Sequence, residues 1–311
     1  MPPLSVIICA HNPHPGRLAR TLKGLAAQNL SSESWELLIV DNGSTPPLAP
    51  DSLPSGSANL RIVTEPMLGL TPARLRGITE ARGEVLVFVD DDNILVPDYL
   101  SNALARFRAS PRLAAAGGPV SPEFETPPPA WTAEFLPLLA VHDQGPAPRL
   151  ANGGPSVAWP DFAPVGAGLC LRRAAAELYA RALVTDPARL SLDRRGGELT
   201  SGGDNDLVFT ALHGGWDVGY FPELALTHLI PAGRLAPDYL ARLNQGIQRS
   251  WVRVLALHGK KPWPAIPRWS VPLRSARAWL RVGAWRSPVH HIRWRGLHGR
   301  FLGQADIYNR R

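Results

Sequence analysis

Val85–Val89 form five apolar residues in a row, all but Leu86 β-branched or aromatic, and run straight into Asp90-Asp91-Asp92. A run of this length without polar alternation predicts a strand buried on both faces, the kind found in parallel sheets. Leu4–Cys9 and Trp35–Val40 repeat the pattern, with a shorter version at Leu60–Val63 after a Pro/Ser-rich loop from Thr45 to Asn59. Between these runs the period changes. Leu18, Leu22, Leu25 and Ala26 share one helical face, as expected of a crossover helix. Thr71-Pro72 reads as a hydroxyl N-cap with proline in the first turn, opening a helix that carries Leu75 and Ile78 inward and stops at Gly83. Strands alternating with helices predict a right-handed, doubly wound parallel sheet.

Beyond the aspartates, Pro97 opens a helix with Leu100, Leu104 and Phe107 on one side, and Leu113–Val120 reads as one further strand. Ser121–Pro164 is proline-rich and irregular, a length of loop that usually has a function, here the wall of a substrate site. Val165–Leu171 returns to strand and Arg172–Ala182 to helix. A strand pair, Asp217–Phe221 and Leu224–Leu229, closes this part of the chain near His228. Gly166-Ala167-Gly168 lacks the further glycine of a dinucleotide fingerprint, and there is no P-loop, paired CxxC spacing or internal repeat.

Composition narrows the class. At 311 residues with 45% hydrophobic content, the chain can bury a full core. Cys9 and Cys170 both lie in apolar segments that read as strands, so a disulfide framework is not expected and a reducing compartment is. The first residues carry no signal-peptide pattern, and no apolar run approaches the roughly 20 residues that span a bilayer. These features predict a cytoplasmic protein. The net charge of +7 is unevenly divided: residues 1–231 carry −7, and residues 232–311 carry +14, with Asp238 and Asp306 the only acids among 16 Lys/Arg. That break suggests a domain over 1–231 and a basic helical extension over 232–311.

Three adjacent aspartates at a strand end repel one another unless a positive group sits among them. Ligands of open α/β sheets collect just beyond the carboxyl ends of the strands. Hard oxygen ligands there suit Mg²⁺ or Mn²⁺ carrying a diphosphate, although a solvated acidic turn is the plainer alternative. A second polar cluster, Ser201-Gly202-Gly203-Asp204-Asn205-Asp206, precedes a helix carrying Leu207, Ala211 and Leu212. Asp204 there is either an N-cap or a general base kept ionised by the helix N-terminus. His228 at a strand end is either structural or a metal ligand.

Taken in order, SVIICAHN, LLIVDNGS, ARLRGITEARGEVLVFVDDDN, GGDNDL and a late Thr227-His228 resemble family 2 glycosyltransferases of the GT-A fold, over Leu4 to about His228. The resemblance implies an α/β fold, a GT-A-type doubly wound and mostly parallel sheet, and transfer of a sugar from a nucleotide diphosphate, usually with inversion and with Mg²⁺ or Mn²⁺. It implies that Asp41 contacts the nucleoside and that His11 and Asn12 line the same pocket. The family's Ala-Arg-Asn helix motif is Ala73-Arg74-Leu75 here, which keeps Arg74 near the diphosphate and replaces the Asn. The Asp-x-Asp motif falls on Asp90 and Asp92 with Asp91 between them; in an extended segment Asp90 and Asp92 share a face. Asp92 and His228 match metal-ligand positions, and Asp90 and Asp91 the nucleotide site. Asp204 aligns with the catalytic base, although the Glu that often precedes it is Gly203. A UDP-sugar donor and a surface-glycan or lipid-linked acceptor follow from the same resemblance.

Pro237–His258 carries Leu240, Leu243, Ile247, Trp251, Val254 and Leu255 at helical spacing, leaving Arg242, Arg249 and Arg253 for the remaining surface. Past it, arginine and tryptophan recur together at Arg268-Trp269, Trp279, Arg281, Trp285-Arg286 and Arg293-Trp294-Arg295. Such interleaving suits an anionic membrane surface at the inner face of the cell membrane. Nucleic acid is the rival partner and is not expected, and a packed helical extension is the plainest reading. The competing functions are a sugar-nucleotidyltransferase, for which the loop AHNPHPG is a poor triphosphate loop, and a non-enzymatic glycan- or nucleic-acid-binding protein, which would have no need of Asp204 beside the acidic triplet.

Overall fold

The computed structural model describes residues 1–50, 59–194 and 196–308. In chain order its elements are β1 (Leu4–Ala10), α1 (Pro15–Ala26), β2 (Trp35–Asp41), β3 (Leu60–Thr64), α2 (Leu70–Glu80), β4 (Val85–Phe88), β5 (Asn93–Leu95), α3 (Tyr99–Ala109), β6 (Leu113–Gly117), β7 (Val120–Phe124), β8 (Arg149–Ala151), β9 (Cys170–Arg172), α4 (Arg173–Thr185), α5 (Gly203–His213), β10 (Asp217–Tyr220), β11 (Leu226–Ile230), α6 (Pro237–Leu257), α7 (Val271–Val282) and α8 (Pro288–Tyr308). Short 3₁₀ segments connect several of them, the longest at Ala130–Leu139. The chain divides into two compact units, one of Met1–Glu123, Ala140–Pro187 and Leu207–Ile230, the other of Phe124–Leu139, Ala188–Asp206 and Pro231–Arg311.

The first unit is built on an eight-stranded sheet in the order β3-β2-β1-β4-β9-β6-β10-β8. β1 pairs in parallel with both β2 and β4, β2 with β3, and β6 with β10; β9 and β8 run antiparallel to their neighbours. The expected doubly wound, mostly parallel sheet is therefore present. Its two faces follow from the period of two along a strand. Leu4, Val6 and Ile8 of β1 join a core with Leu18, Leu22 and Leu25 of α1 and Leu100, Leu104 and Phe107 of α3. Ile7 points the other way, toward α2, where a Cβ on Gly77 would lie 2.6 Å from the Ile7 side chain. Glycine at that position lets α2 approach the sheet. At the opposite end of the strands, buried Glu36 accepts from Ser5 Oγ at 2.7 Å, from Arg61 at 3.2 Å and from the Arg82 N–H at 2.6 Å. This carboxylate ties β1, β2 and β3 to the turn that leads into β4.

Several local expectations need correction. The helix expected to be capped by Thr71 begins at Leu70 with Gly69 as N-cap, at φ 139°, and the buried Thr71 hydroxyl has no hydrogen-bond partner. A glycine is required there because the loop arrives with positive φ. The strand expected over Leu113–Val120 is two strands in two sheets. Gly118 lies so near the backbone of Phe221 and Leu224 that a Cβ would sit 2.3 Å from Leu224 O, and Pro119 has no N–H to extend a ladder. Of Val165–Leu171 only Cys170 and Leu171 are strand, in β9, after Gly168 at φ 72° turns the chain. Asp217–Phe221 and Leu224–Leu229 do not pair with each other: β10 enters the large sheet, while β11 is the centre of a three-stranded sheet, β5-β11-β7. The loop expected from Thr45 to Asn59 falls in part on residues 51–58, outside the described residues. Cys9 and Cys170 are not joined in a disulfide, and burial pushes the Cys170 thiol up to about 12.

In the second unit α6, α7 and α8 pack together. The close contact is between α6 and α8, where Gly299 and Gly303 bring one backbone against the other and Gly296 makes room for the Asn244 side chain: a Cβ on Gly299 would lie 2.2 Å from Gln245 O. Asn244 of α6 donates to the Ile292 carbonyl at 2.9 Å, and Arg249 pairs with Asp306 at 2.7 Å. Two of the three arginines expected on the outer surface of α6 are thus committed internally. Arg253 is buried and donates to the Ser191 carbonyl, because α6 is covered by the Ala188–Asp206 segment as well as by α8.

Gly299→Ala tests this packing. Helix propensity favours alanine by about 1 kcal/mol, but here the new methyl meets backbone atoms that cannot rotate away. The overpacking cost of about 1–3 kcal/mol or more should win. Thermal unfolding should show a lowered midpoint for Gly299→Ala, and none for Gly233→Ala, where an added Cβ meets nothing within 4 Å.

Candidate functional site

The loops beyond β1, β2 and β3 are laced together by side chains. Asp41, at the end of β2, is buried and accepts the Ser44 N–H on Oδ1 and the Leu48 N–H on Oδ2, each at 3.0 Å. Burial alone would raise its pKa. The Ser44 hydroxyl, the Leu48 and Ser44 N–H groups and nearby His11 outweigh it and hold the carboxyl below its usual value. Asn42 donates to the carbonyls of Glu65 and Met67 and accepts from the Gly69 N–H at 2.8 Å, closing the loop that starts α2. His11 Nδ1 donates to the Asn42 carbonyl at 2.7 Å, which leaves Nε2 to accept from Asn12 Nδ2 at 3.2 Å. Asn12, at φ 48°, gives its N–H to Ser44 Oγ and accepts from Thr45 N–H. His11, Asn12 and Asp41 are therefore brought together, with the first two exposed and the third buried. Arg74 is buried on α2, in the helix that Gly69 starts, and Leu75 beside it is partly buried.

The acidic triplet departs from its expected geometry. β4 ends at Phe88, and Asn93 N–H bonds the Asp90 carbonyl at 3.1 Å, so Asp90–Asn93 is a turn and not an extended segment. Asp90 and Asp91 are partly exposed, whereas Asp92 is buried. The turn leads into β5, which pairs antiparallel with β11, His228 opposite Asn93. Leu229 N–H bonds the Asp92 carbonyl at 2.8 Å, and the Asn93 amide donates to Asp92 Oδ1 at 3.1 Å. His228 Nε2 lies 3.5 Å from Asp92 Oδ2, with both side chains about 5% exposed or less. Asp92 and His228, some 136 positions apart in the sequence, are thus neighbours.

A carboxylate and an imidazole side by side at a strand end are a donor set a divalent cation accepts. Mg²⁺ characteristically takes one or two carboxylates and completes its shell with phosphate oxygens and water. Among the described residues there is no group of three or more His, Cys, Asp or Glu able to hold a metal by themselves. The pair therefore fits a cation that arrives with a diphosphate, and does not form a self-sufficient protein cage.

Asp204 belongs to the second unit. It occupies the second position of α5, inside the first turn rather than before it, and accepts the Asn205 N–H at 2.9 Å. The N-cap alternative therefore does not describe its place. The segment leading to it lies against α6: a Cβ on Gly246 would be 2.1 Å from Leu199 O, and Ser201 N–H bonds Ser250 Oγ at 3.2 Å. Two positions on, fully buried Asp206 receives Arg189 at 2.5 Å and His258 Nε2 at 2.8 Å on the same oxygen. Sequence reasoning missed Arg189 and His258, as well as Ser44, Asn42 and Asn93. Asn42 and Ser44 stand in the motif beside Asp41 and were open to discovery there. Nothing local marks Arg189 or His258, since their partner is set by folding.

Comparison with known proteins agrees with this architecture. Residues 5–167 match the profile of Glycosyl transferase family 2. The chain is similar to the succinoglycan biosynthesis protein ExoM of Rhizobium meliloti (strain 1021), 27% identical over 270 residues, covering 84% of this chain and 77% of that protein. It is also similar to the succinoglycan biosynthesis protein ExoW of the same organism, 33% identical over 119 residues, 35% of this chain and 36% of the relative. Among solved structures, that of S. aureus TarS superposes with a TM-score of 0.50 at 13% identity, over 99% of this chain and 55% of TarS, so the chain spans just over half of that structure. A profile match over more than half of the residues, on a sheet of this order, shows that the chain belongs to glycosyl transferase family 2: it is a glycosyltransferase with the GT-A fold.

Proposed function

We propose that this glycosyltransferase moves a sugar, with inversion, from a UDP-sugar to a surface-glycan or lipid-linked acceptor, and that Mg²⁺ or Mn²⁺ assists it. The Asp92–His228 pair carries this reading, because a buried carboxylate and imidazole 3.5 Å apart at a strand end suit a cation shared with a diphosphate. The laced loops support the donor assignment: Asp41 with His11 and Asn12 for the nucleoside, and Asp90, Asp91 and Arg74 for the ribose and diphosphate. The descriptions of ExoM and ExoW as succinoglycan biosynthesis proteins support a polysaccharide product.

Charge sets the chemistry. As the sugar–phosphate bond breaks, negative charge builds on the departing diphosphate, where a cation held by Asp92 and His228 would supply electrostatic stabilisation. Arg74 would add a fixed positive charge on the same group. Asp204 is the proposed general base: it takes the proton of the acceptor hydroxyl as that oxygen attacks the anomeric carbon from the face opposite the diphosphate. Its carboxylate is partly exposed in the first turn of α5. Asp206, Arg189 and His258 are positioning residues that hold that turn. The inverting course needs no enzyme nucleophile. The basic helical region over 232–311 is proposed as an extension to the catalytic domain over 1–231, working at the inner, anionic face of the membrane.

Two measurements separate these roles. Asp92→Asn and His228→Gln should each remove the Mn²⁺-dependent part of UDP affinity in calorimetry. Equal UDP affinity with and without Mn²⁺ in the unmodified protein would refute the cation assignment. Asp204→Asn should leave donor affinity near that of the unmodified protein and cut turnover by about 10²–10⁴-fold. A loss of turnover that only tracks a loss of folded protein, read by thermal unfolding, would return Asp204 to a structural role.

A further inference from the structure

Several described cations of the basic region are tied to elements outside α7. Arg249 pairs with Asp306, Arg293 with Glu134, and Arg300 lies over the Trp263 ring at 4.7 Å. The segment Trp269–Arg286, centred on α7, differs. Only one side of α7 is covered: Val271, Ser275 and Ala278 are buried, and the helix packs on α8. Its outer side divides lengthwise. Leu273, Ala276 and Leu280 recur at i, i+3 and i+7 on one exposed strip, and Arg274, Arg277 and Arg281 recur with the same spacing on the strip beside it.

The apolar strip is unusually bare. Trp269 is 74% exposed, Leu273 68%, Leu280 63% and Trp285 55%, so four of the most exposed large apolar side chains among the described residues fall within 17 consecutive positions. Trp285 lies past the left-handed Gly283 cap with its ring tilted against Trp279, centroids 4.7 Å apart, while the Arg286 guanidinium lies 5.7 Å from the Trp285 ring. A contiguous apolar surface of this kind marks a binding face.

We propose that this face of α7 is a membrane-docking surface for an anionic lipid bilayer. Leu273, Leu280, Trp269 and Trp285 enter the headgroup–acyl boundary, and Arg274, Arg277, Arg281 and Arg286 lie on lipid phosphates. Charge selects this occupant. From residue 239 to 305 the chain has no Asp or Glu, so a second copy joined through this face would set arginine strips against each other. Single-stranded nucleic acid would suit the arginines and tryptophans but leave both leucines in water, since it binds through stacking and phosphate contacts. No helix of the described residues is long and apolar enough to cross a membrane, which makes lying in the interface the mode this face supports. This deepens the membrane placement proposed above for the basic region, and it bears on sugar transfer only through a lipid-linked acceptor.

Vesicle flotation of the full chain without donor tests it, keeping failure here distinct from failure of UDP binding. Flotation should be strong with phosphatidylglycerol-containing vesicles and weak with phosphatidylcholine alone. Each cation near an anionic surface is worth about fivefold in partition, so Arg274→Gln/Arg277→Gln/Arg281→Gln should lose about a hundredfold. Leu273→Ser/Leu280→Ser should lose the part of binding that survives high salt. All five positions are exposed, and a thermal scan checks the fold; if the leucine variant melts early, the arginine variant decides. Equal flotation on both vesicle types, none on either, or an arginine variant that floats like the unmodified protein would overturn the proposal. So would an oligonucleotide affinity that the arginine variant loses while its flotation stays intact.

Discussion

The antiparallel pairing of Asn93–Leu95 with Leu226–Ile230 is the constraint on which the acidic turn depends. Without it, Asp90-Asp91-Asp92 would be a hydrated turn after a strand, its carboxylates apart from any partner. With it, the Leu229 N–H fixes the Asp92 carbonyl and the ladder sets His228 beside the Asp92 carboxylate. Burial then sharpens the arrangement. A buried carboxylate costs several kcal/mol unless it is paired and hydrogen-bonded, so the Asn93 amide and the His228 ring favour one orientation of Asp92.

The loops beyond the parallel strands solve a related problem in the opposite way. Loops leave backbone donors and acceptors unpaired, and these need partners where water is excluded. Here Asp41, Asn42, Asn12 and Ser44 supply them across the gaps between β1, β2 and β3. Exposed His11 and Asn12 are thereby held on a rigid base, the arrangement a binding site needs if it is not to spend ligand affinity on ordering its own walls.

In the second unit, helix packing does the positioning. Glycines at 246, 299 and 303 allow backbone-close contacts around α6, and the segment carrying Asp204 takes its path from the contact at Gly246. Buried Asp206, held by Arg189 and His258, would be a liability if any partner were lost, since an uncompensated buried charge costs about 3–5 kcal/mol. Its satisfaction fixes the first turn of α5, and with it the backbone bearing Asp204.

The sequence by itself determined the sheet and most of its helices. Uninterrupted apolar runs such as Leu4–Cys9 and Val85–Val89 have few options other than doubly buried strands, and the 3.6-residue period of Leu18, Leu22 and Leu25 admits one face. The residues proposed for the site, His11, Asp41, Arg74, Asp90, Asp92, Asp204 and His228, stand in short contiguous motifs and could be singled out from the sequence. Tertiary structure alone decided where strands broke and who met whom. Gly118-Pro119 divided an apparent single strand because the backbone of Phe221 and Leu224 passes beside it. The extended reading of the acidic triplet gave way to a turn because β5 had to meet β11. Arg253, solvent-facing by helical spacing, was buried because the Ala188–Asp206 segment covers that side of α6. Periodicity reports which face of an element is apolar; it carries no information about which distant segment will cover that face, and that is settled only when contacts far apart in the chain close together.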